Sequence, residues 1–181
     1  RGVKGVAVEA QAASADDQQG LGARMAAAFS AELARGAKRV VLAGTDAPHL
    51  DGGVLAFAMA LLRHYDCVLG PSADGGYYLV GLSAEAASQA PELFADITWS
   101  SPAVLEEQLE NAARLGLSVA PLHRVPTLVD VDTVEDLRQW LRADEAGPFL
   151  CQDFRAAALQ VLQDAGEEPA AAAEDAGTTA K

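Results

Sequence analysis

The residues best suited to chemistry are four aspartates, which stand in tight loops or at the ends of predicted strands: Asp46, Asp74, Asp130 and Asp132. Carboxylate oxygens are preferred ligands of hard divalent cations such as Mg²⁺ and Mn²⁺. A cation held by acidic groups from separate loops at one sheet edge can bridge the phosphate oxygens of a ligand. The four aspartates together therefore indicate a metal-assisted phosphate site more strongly than any one of them does.

Each aspartate also has a purely structural interpretation. Asp46 can cap a helix or a turn, and its segment taken alone favours that role. Asp74 precedes two glycines and can form an Asx turn with them. Asp132 can simply favour the dipole of the helix that starts one residue later. Asp130 alternates with Asp132, so both point to one side of a strand.

Glycines, an arginine and two aromatic residues could complete a binding site. The glycine pair at 75–76 lets the backbone approach a ligand closely, and the segment 20–22 could present amide groups to a phosphate at a helix start. Arg24 could reach the same phosphate or be a solvated surface residue. Tyr77 and Trp99 could stack on a base or sugar, although most such aromatic residues belong to the core.

The strand that must position Asp46 is predicted at 39–43, RVVLA. Its short apolar run with β-branched residues is typical of a strand buried on both faces of a parallel sheet. Gly44 and Pro48 end it and leave Asp46 at its carboxyl end. In open α/β sheets, ligands bind outside that end of the strands.

Strands and helices alternate along most of the chain, which predicts a three-layer α/β domain with a mainly parallel sheet. The other predicted strands are 3–8, 66–70, 77–82, 117–122 and 128–132. A helix is predicted from Leu21 to Gly36, a second after the cap residue Asp51, and a weak one over 84–90 that stops at Pro91. Further helices are predicted to begin at Ser101-Pro102 and at Thr133, which can form a capping box with Asp136. The last predicted helix is 149–163. In the helix from Thr133, we expect Val134, Leu137 and Leu141 to face inward, with Trp140 alongside.

Composition excludes several classes of protein. A formal net charge of -13 over 181 residues argues against broad binding to nucleic acid or anionic membranes. The two cysteines show neither metal spacing nor a disulfide framework, so we expect a reduced cytoplasmic protein. No apolar run is long enough to span a bilayer. The three histidines suggest no catalytic triad, and no Walker loop or dinucleotide fingerprint is present, which disfavours a Rossmann-type dehydrogenase.

Five ordered segments together resemble one family: LGARMAAAF at 21–29, VVLAGTDAPHL at 40–50, VLGPSADGGYYLVGL at 68–82, LFADITWSSPAVL at 93–105 and VDVDTVEDL at 129–137. They are similar to the radical-SAM/selenodomain-associated transferase type 1 family, whose members look like nucleotide-diphospho-sugar transferases of the GT-A fold. Some members are labelled arsenosugar-biosynthesis glycosyltransferases. The 2-phospholactate and molybdenum-cofactor guanylyltransferases are more distant relatives. The resemblance covers about residues 3–142.

The resemblance implies roles for individual residues. Asp46 matches the metal-binding aspartate at the strand end of GT-A enzymes, and Asp132 matches the second acidic or amide position that completes the metal site in the guanylyltransferases. We therefore expect Asp46 and Asp132 to be catalytic and, with Asp130, to bind Mg²⁺ or Mn²⁺. The loop at 74–76 matches the one that lines the acceptor or sugar side. The expected substrate-binding residues are Gly44, Thr45, Pro48, Asp74, Gly75, Gly76, Tyr77, Trp99 and Arg24.

The expected function is metal-dependent transfer from a nucleotide-activated donor, a nucleotide sugar or a nucleoside triphosphate, to a small-molecule acceptor. Glycosyl transfer ranks first and guanylyltransferase-like nucleotidyl transfer second. Proteins of this kind begin with a strand and a basic glycine-containing loop that no segment here matches. We therefore expect an amino-terminally truncated chain, and a non-catalytic GT-A-like binding domain is a further alternative. The expected divisions are the domain at 1–148, a helix at 149–164 and a disordered tail at 165–181.

Overall fold

The computed structural model describes residues 20–129, 131, 133–144 and 152–164. Its elements in chain order are α1 (Leu21–Ala34), β1 (Arg39–Ala43), α2 (Gly52–Leu61), β2 (Cys67–Pro71), β3 (Tyr77–Ser83), α3 (Ala84–Ala87), α4 (Ala90–Leu93), α5 (Val104–Arg114), a 3₁₀ turn (Leu122–Arg124), α6 (Val134–Asp144) and α7 (Gln152–Asp164). The chain forms two compact units, Arg1–Asp130 and Val131–Lys181. The expected domain boundary at residue 148 stays a prediction, and the predicted strand at 3–8 and tail at 165–181 lie outside the described residues.

The sheet of the described part is small and antiparallel, so the prediction of a mainly parallel sheet is wrong. Its order is β1-β3-β2, and β3 runs antiparallel to both neighbours. The reason is the short connection between β2 and β3, which spans only residues 72–76. A parallel crossover needs a dozen or more residues, whereas an antiparallel hairpin needs few. The mixed α/β class is confirmed.

Strand β3 is the centre of this sheet, and six of its seven residues are buried. The outer edge of β2 carries two single parallel bridges, Cys67 to Val119 and Ser72 to Leu128. In the described residues these bridges replace the strands that were predicted at 117–122 and 128–132. Pro121 and Pro126 interrupt that region, and proline cannot donate to a strand ladder.

Two hydrophobic clusters cover the two faces of the sheet. Cys67 and Leu69 pack in one cluster, together with α1, α3, α4 and α5, whereas Val68 packs in the other, together with α2 and residues 120–128. Successive strand side chains point to opposite faces, so the clusters lie on opposite sides. Phe29 and Phe94 stack in the first cluster with ring centroids 5.9 Å apart.

Helix boundaries with a local signal are largely as predicted. Gly36, at φ +89°, lies just past the carboxyl end of α1, and the Asp51 carboxylate accepts a 2.8 Å hydrogen bond from the Val54 N–H at the start of α2. Two boundaries are wrong. The segment predicted to stop at Pro91 forms two short helices, with that proline inside the second. The helix expected from Ser101 begins at Val104.

The second unit packs α6 against α7. Leu137, Trp140 and Leu141 are buried there with Ala158 and Leu162. The capping box is confirmed, because the Thr133 N–H donates to Asp136 Oδ2 at 2.8 Å and the Asp136 N–H donates to Thr133 Oγ1 at 3.2 Å. Val134 was expected to face inward, but it is 42% exposed. In neither unit do the described residues include a helix long and apolar enough to cross a membrane.

Candidate functional site

The sheet topology brings two of the predicted aspartates to one edge of the first unit. β1 and β2 both run antiparallel to β3, so they point in the same direction and end at the same edge. The loop that carries Asp46 follows β1, and the loop that carries Asp74 follows β2. We call this edge, with the loops 44–51, 72–76 and 99–102 and the start of α1 at 20–24, the rim.

Asp46 is an exposed carboxylate that no structural contact occupies. Within the described part of the chain it accepts no hydrogen bond and forms no ion pair, and the cap of α2 is Asp51 instead. The backbone on either side of it is fixed. The Gly44 N–H donates to the Tyr78 carbonyl at 2.8 Å, and Ala47 is 5% exposed within the core. The capping alternative for Asp46 therefore has no support, and its carboxylate is available to a ligand.

Asp74 has the structural role that the sequence left open. Its Oδ1 accepts a 2.9 Å hydrogen bond from the Gly76 N–H, which is an Asx turn. Gly75 adopts φ +95°, and a Cβ there would lie 2.4 Å from the Pro102 carbonyl oxygen. The Leu105 N–H also donates to the Gly75 carbonyl at 3.0 Å. The first of the two glycines thus lets the loop approach the chain at Pro102.

The segment between α4 and α5, which contains Pro102, also places Trp99 beside the start of α1. A Cβ on Gly22 would lie 2.7 Å from the Phe94 carbonyl oxygen and 3.2 Å from the Cζ2 atom of Trp99. This glycine therefore serves close helix packing. Beside it is an open cavity of about 640 Å³, lined by small residues of α1 and by Phe94, Ile97 and Trp99. Arg24 lies on the first turn of α1, at the same end of the helix.

Tyr77 is held by the core. Its hydroxyl donates to Gln108 Oε1 at 3.0 Å, and the Gln108 amide nitrogen donates to the Leu93 carbonyl at 2.7 Å. Burial of the ring raises the pKa of the Tyr77 hydroxyl, so it stays protonated. Of the other expected substrate-binding residues, Thr45 is exposed and Pro48 is half-buried in the loop after β1.

The described residues include only part of the predicted metal site. Asp130 and Asp132 lie outside the described residues, so their roles as ligands stay predictions. Elsewhere in the described ranges, no group of three His, Cys, Asp or Glu residues could hold a metal ion. The residue that is described does fit such an ion, because Asp46 offers an exposed carboxylate with no competing partner.

Sequence reasoning missed two polar features. Ser72, at the rim, is 5% exposed, and its Oγ has no hydrogen-bond partner in the described part of the chain. Asp66, at the opposite edge, accepts hydrogen bonds from the hydroxyl and N–H of Ser118 at 2.6 and 2.9 Å, which lower its pKa. A serine in a loop and an aspartate before a strand give no local signal of burial or of a distant partner.

Comparisons with known proteins support a resemblance to nucleotide-diphospho-sugar transferases. The chain is similar to the crystal structure of a candidate nucleotide-diphospho-sugar transferase from Desulfovibrio desulfuricans G20, with 33% sequence identity and a TM-score of 0.69. The match covers 80% of this chain and 60% of that chain, so the present chain spans well under the full length of that protein. No curated protein matches. Residues 4–101 match DUF2064, described as an uncharacterized protein conserved in bacteria, and the chain belongs to that family.

Proposed function

We propose that this chain is the transferase domain of an enzyme that uses a nucleotide-diphospho-sugar as donor. The observation that carries the proposal is the exposed, unoccupied carboxylate of Asp46 at the carboxyl end of β1. It stands in a fold similar to that of a candidate nucleotide-diphospho-sugar transferase. In parallel α/β sheets, ligands bind outside the carboxyl ends of the strands, and β1 and β2, which run in the same direction, both end at the rim.

In the proposed reaction, the residues of the rim would have different roles. Asp46 would be a ligand of Mg²⁺ or Mn²⁺, which when bound would offset negative charge on the diphosphate leaving group, and the roles of Asp130 and Asp132 as further ligands stay predictions. Arg24, on the first turn of α1, would meet the donor by charge, and Trp99, whose ring lies beside Gly22, would meet it by stacking. The Asx-turn loop at 74–76 would face the acceptor or sugar.

Calorimetric titration of the intact protein tests the donor and the cation together. UDP-, GDP- and CMP-sugars and GTP are titrated with Mn²⁺ and again with EDTA, using wild type, Asp46→Asn and Glu110→Gln. Glu110 is an exposed acid on α5 and serves as the charge-matched control. We expect the UDP-sugar or the GDP-sugar to bind with Mn²⁺ only, and that binding to be lost in Asp46→Asn but kept in Glu110→Gln. The CMP-sugar has one phosphate in place of a diphosphate, so it should bind no more tightly than the background.

The other outcomes separate the remaining possibilities. Binding that persists in EDTA, or that is undiminished in Asp46→Asn, contradicts the metal role of Asp46. Binding of GTP in preference to every nucleotide sugar, with release of pyrophosphate when an acceptor is added, identifies nucleotidyl transfer instead. Failure to bind any of the four donors contradicts the proposed donor and favours the alternative of a non-catalytic binding domain.

A further inference from the structure

The Cα of Gly44 lies next to the carboxylate of Asp46. An ideal Cβ built on Gly44 would lie 2.5 Å from Asp46 Oδ1, closer than real Cβ contacts allow. The backbone does not otherwise require glycine there, because Gly44 is not among the described glycines with positive φ. The absence of a side chain at position 44 therefore provides space, and that space is filled by the carboxylate.

The backbone around this pair has little freedom to adjust. The Gly44 N–H donates a hydrogen bond to the Tyr78 carbonyl. Tyr78 itself is fixed, because it is only 3% exposed and its hydroxyl donates to the Pro126 carbonyl at 3.0 Å. On the other side of Asp46, Ala47 is buried in the hydrophobic cluster that contains α2. A side chain added at position 44 would thus displace the mobile end of Asp46 and leave the backbone in place.

We propose that Gly44 is a positioning residue, which sets where the Asp46 carboxylate stands on the rim. The proposal rests on the proposed function, in which that carboxylate binds a divalent cation. Relieving the 2.5 Å contact moves Oδ1 by at least about 0.5 Å, since contacts under 3.0 Å are essentially never seen. Glycine at position 44 leaves room for the Asp46 rotamer seen in this structure, and a Cβ there excludes that rotamer. Alanine at position 44 therefore keeps the ligand but misplaces it.

Direct binding of Mn²⁺ to the intact protein without nucleotide, measured by the loss of its free-ion electron paramagnetic resonance signal, tests this inference. We expect about tenfold weaker binding in Gly44→Ala, the size of effect seen when residues that orient a metal ligand are removed. Asp46→Asn removes the charged ligand itself, so it should weaken binding more than Gly44→Ala does. Gly52→Ala is the matched control, because a Cβ there meets nothing within 4 Å and its φ is not positive.

The outcomes separate this inference from the proposed function. If Asp46→Asn weakens Mn²⁺ binding but Gly44→Ala binds within twofold of wild type, the positioning role is refuted while the metal role stands. If Asp46→Asn binds like wild type, the metal role itself is refuted. If Gly44→Ala does not fold, the double variant Gly44→Ala/Asp46→Ala tests whether the contact with the Asp46 carboxylate is the reason. A folded double variant shows that the carboxylate was the obstacle, whereas an unfolded one overturns the inference.

Discussion

Replacing Gly75 with alanine should be among the most destabilising single changes in the first unit, for two separable reasons. Alanine at φ +95° adopts the left-handed region, which costs about 1–2 kcal/mol. The new Cβ would also lie 2.4, 2.8 and 2.9 Å from the carbonyl oxygen, Cα and carbonyl carbon of Pro102. These are backbone atoms, so the clash is relieved only by separating the loop at 74–76 from the turn that contains Pro102.

Gly116 isolates the first of these effects. It adopts φ +70°, yet a Cβ there would meet nothing within 4 Å. Gly116→Ala should therefore lose about 1–2 kcal/mol through strain alone. Gly75→Ala should lose about 4 kcal/mol, which places it in the range where a specific structural cause is required. Gly76→Ala should lose about 1 kcal/mol or less, since the atoms nearest to its Cβ would belong to the side chain of Asp74, at 3.3 Å and beyond.

Thermal denaturation followed by far-UV circular dichroism measures the series. A domain of this size loses about 2–4 °C in Tm per kcal/mol. We expect Gly75→Ala to lower Tm by about 10 °C and Gly116→Ala by about 4 °C. Equal losses for these two variants would refute the reasoning, because the contact with Pro102 would then contribute nothing.

Two further predictions concern polar groups away from the rim. The pKa of Asp66 is lower in the folded protein than in the unfolded chain, where it is about 3.9. Its hydrogen bonds therefore stabilise the folded state fully above the unfolded pKa, and this stabilisation is lost as pH falls through the folded pKa. Ser118→Ala should therefore lower Tm by a few degrees near pH 7, and this difference should shrink below about pH 4; a difference that grows on acidification would contradict it. Burial raises the pKa of the Cys67 thiol to about 12, so in a Cys151→Ser background we expect no reaction with a thiol reagent at pH 8 until the protein is denatured. Rapid labelling of the native protein would contradict that burial.

The sequence predicted structure well where the signal is contained in a few neighbouring residues. The cap at Asp51, the end of α1 near Gly36 and the capping box at Thr133 each depend on contacts within one helical turn. The prediction failed where pairing between distant segments decides. Alternating strands and helices suggested parallel pairing, yet the hairpin between β2 and β3 placed an antiparallel strand at the centre of the sheet.

The candidate site shows the same division. A strand ending at a glycine was enough to place Asp46 at the carboxyl end of β1. No local pattern could show that Gly75 serves the approach of Pro102, or that the Tyr77 hydroxyl is bound by Gln108. Those partners are distant in sequence, so only the folded structure distinguishes a residue that faces a ligand from one that faces the core.

The central place of β3 has a consequence for the order of folding. Its pairing with β2 closes only the short loop at 72–76, whereas its pairing with β1 closes the whole segment between Ala43 and Tyr77. Closing a longer loop loses more chain entropy, so the hairpin should form early and β1 should dock later. The loop that carries Asp46 would then be among the last parts of the unit to order. Mutations that slow the docking of β1 should delay the ordering of the loop that carries Asp46 during refolding, while the hairpin forms at its normal rate.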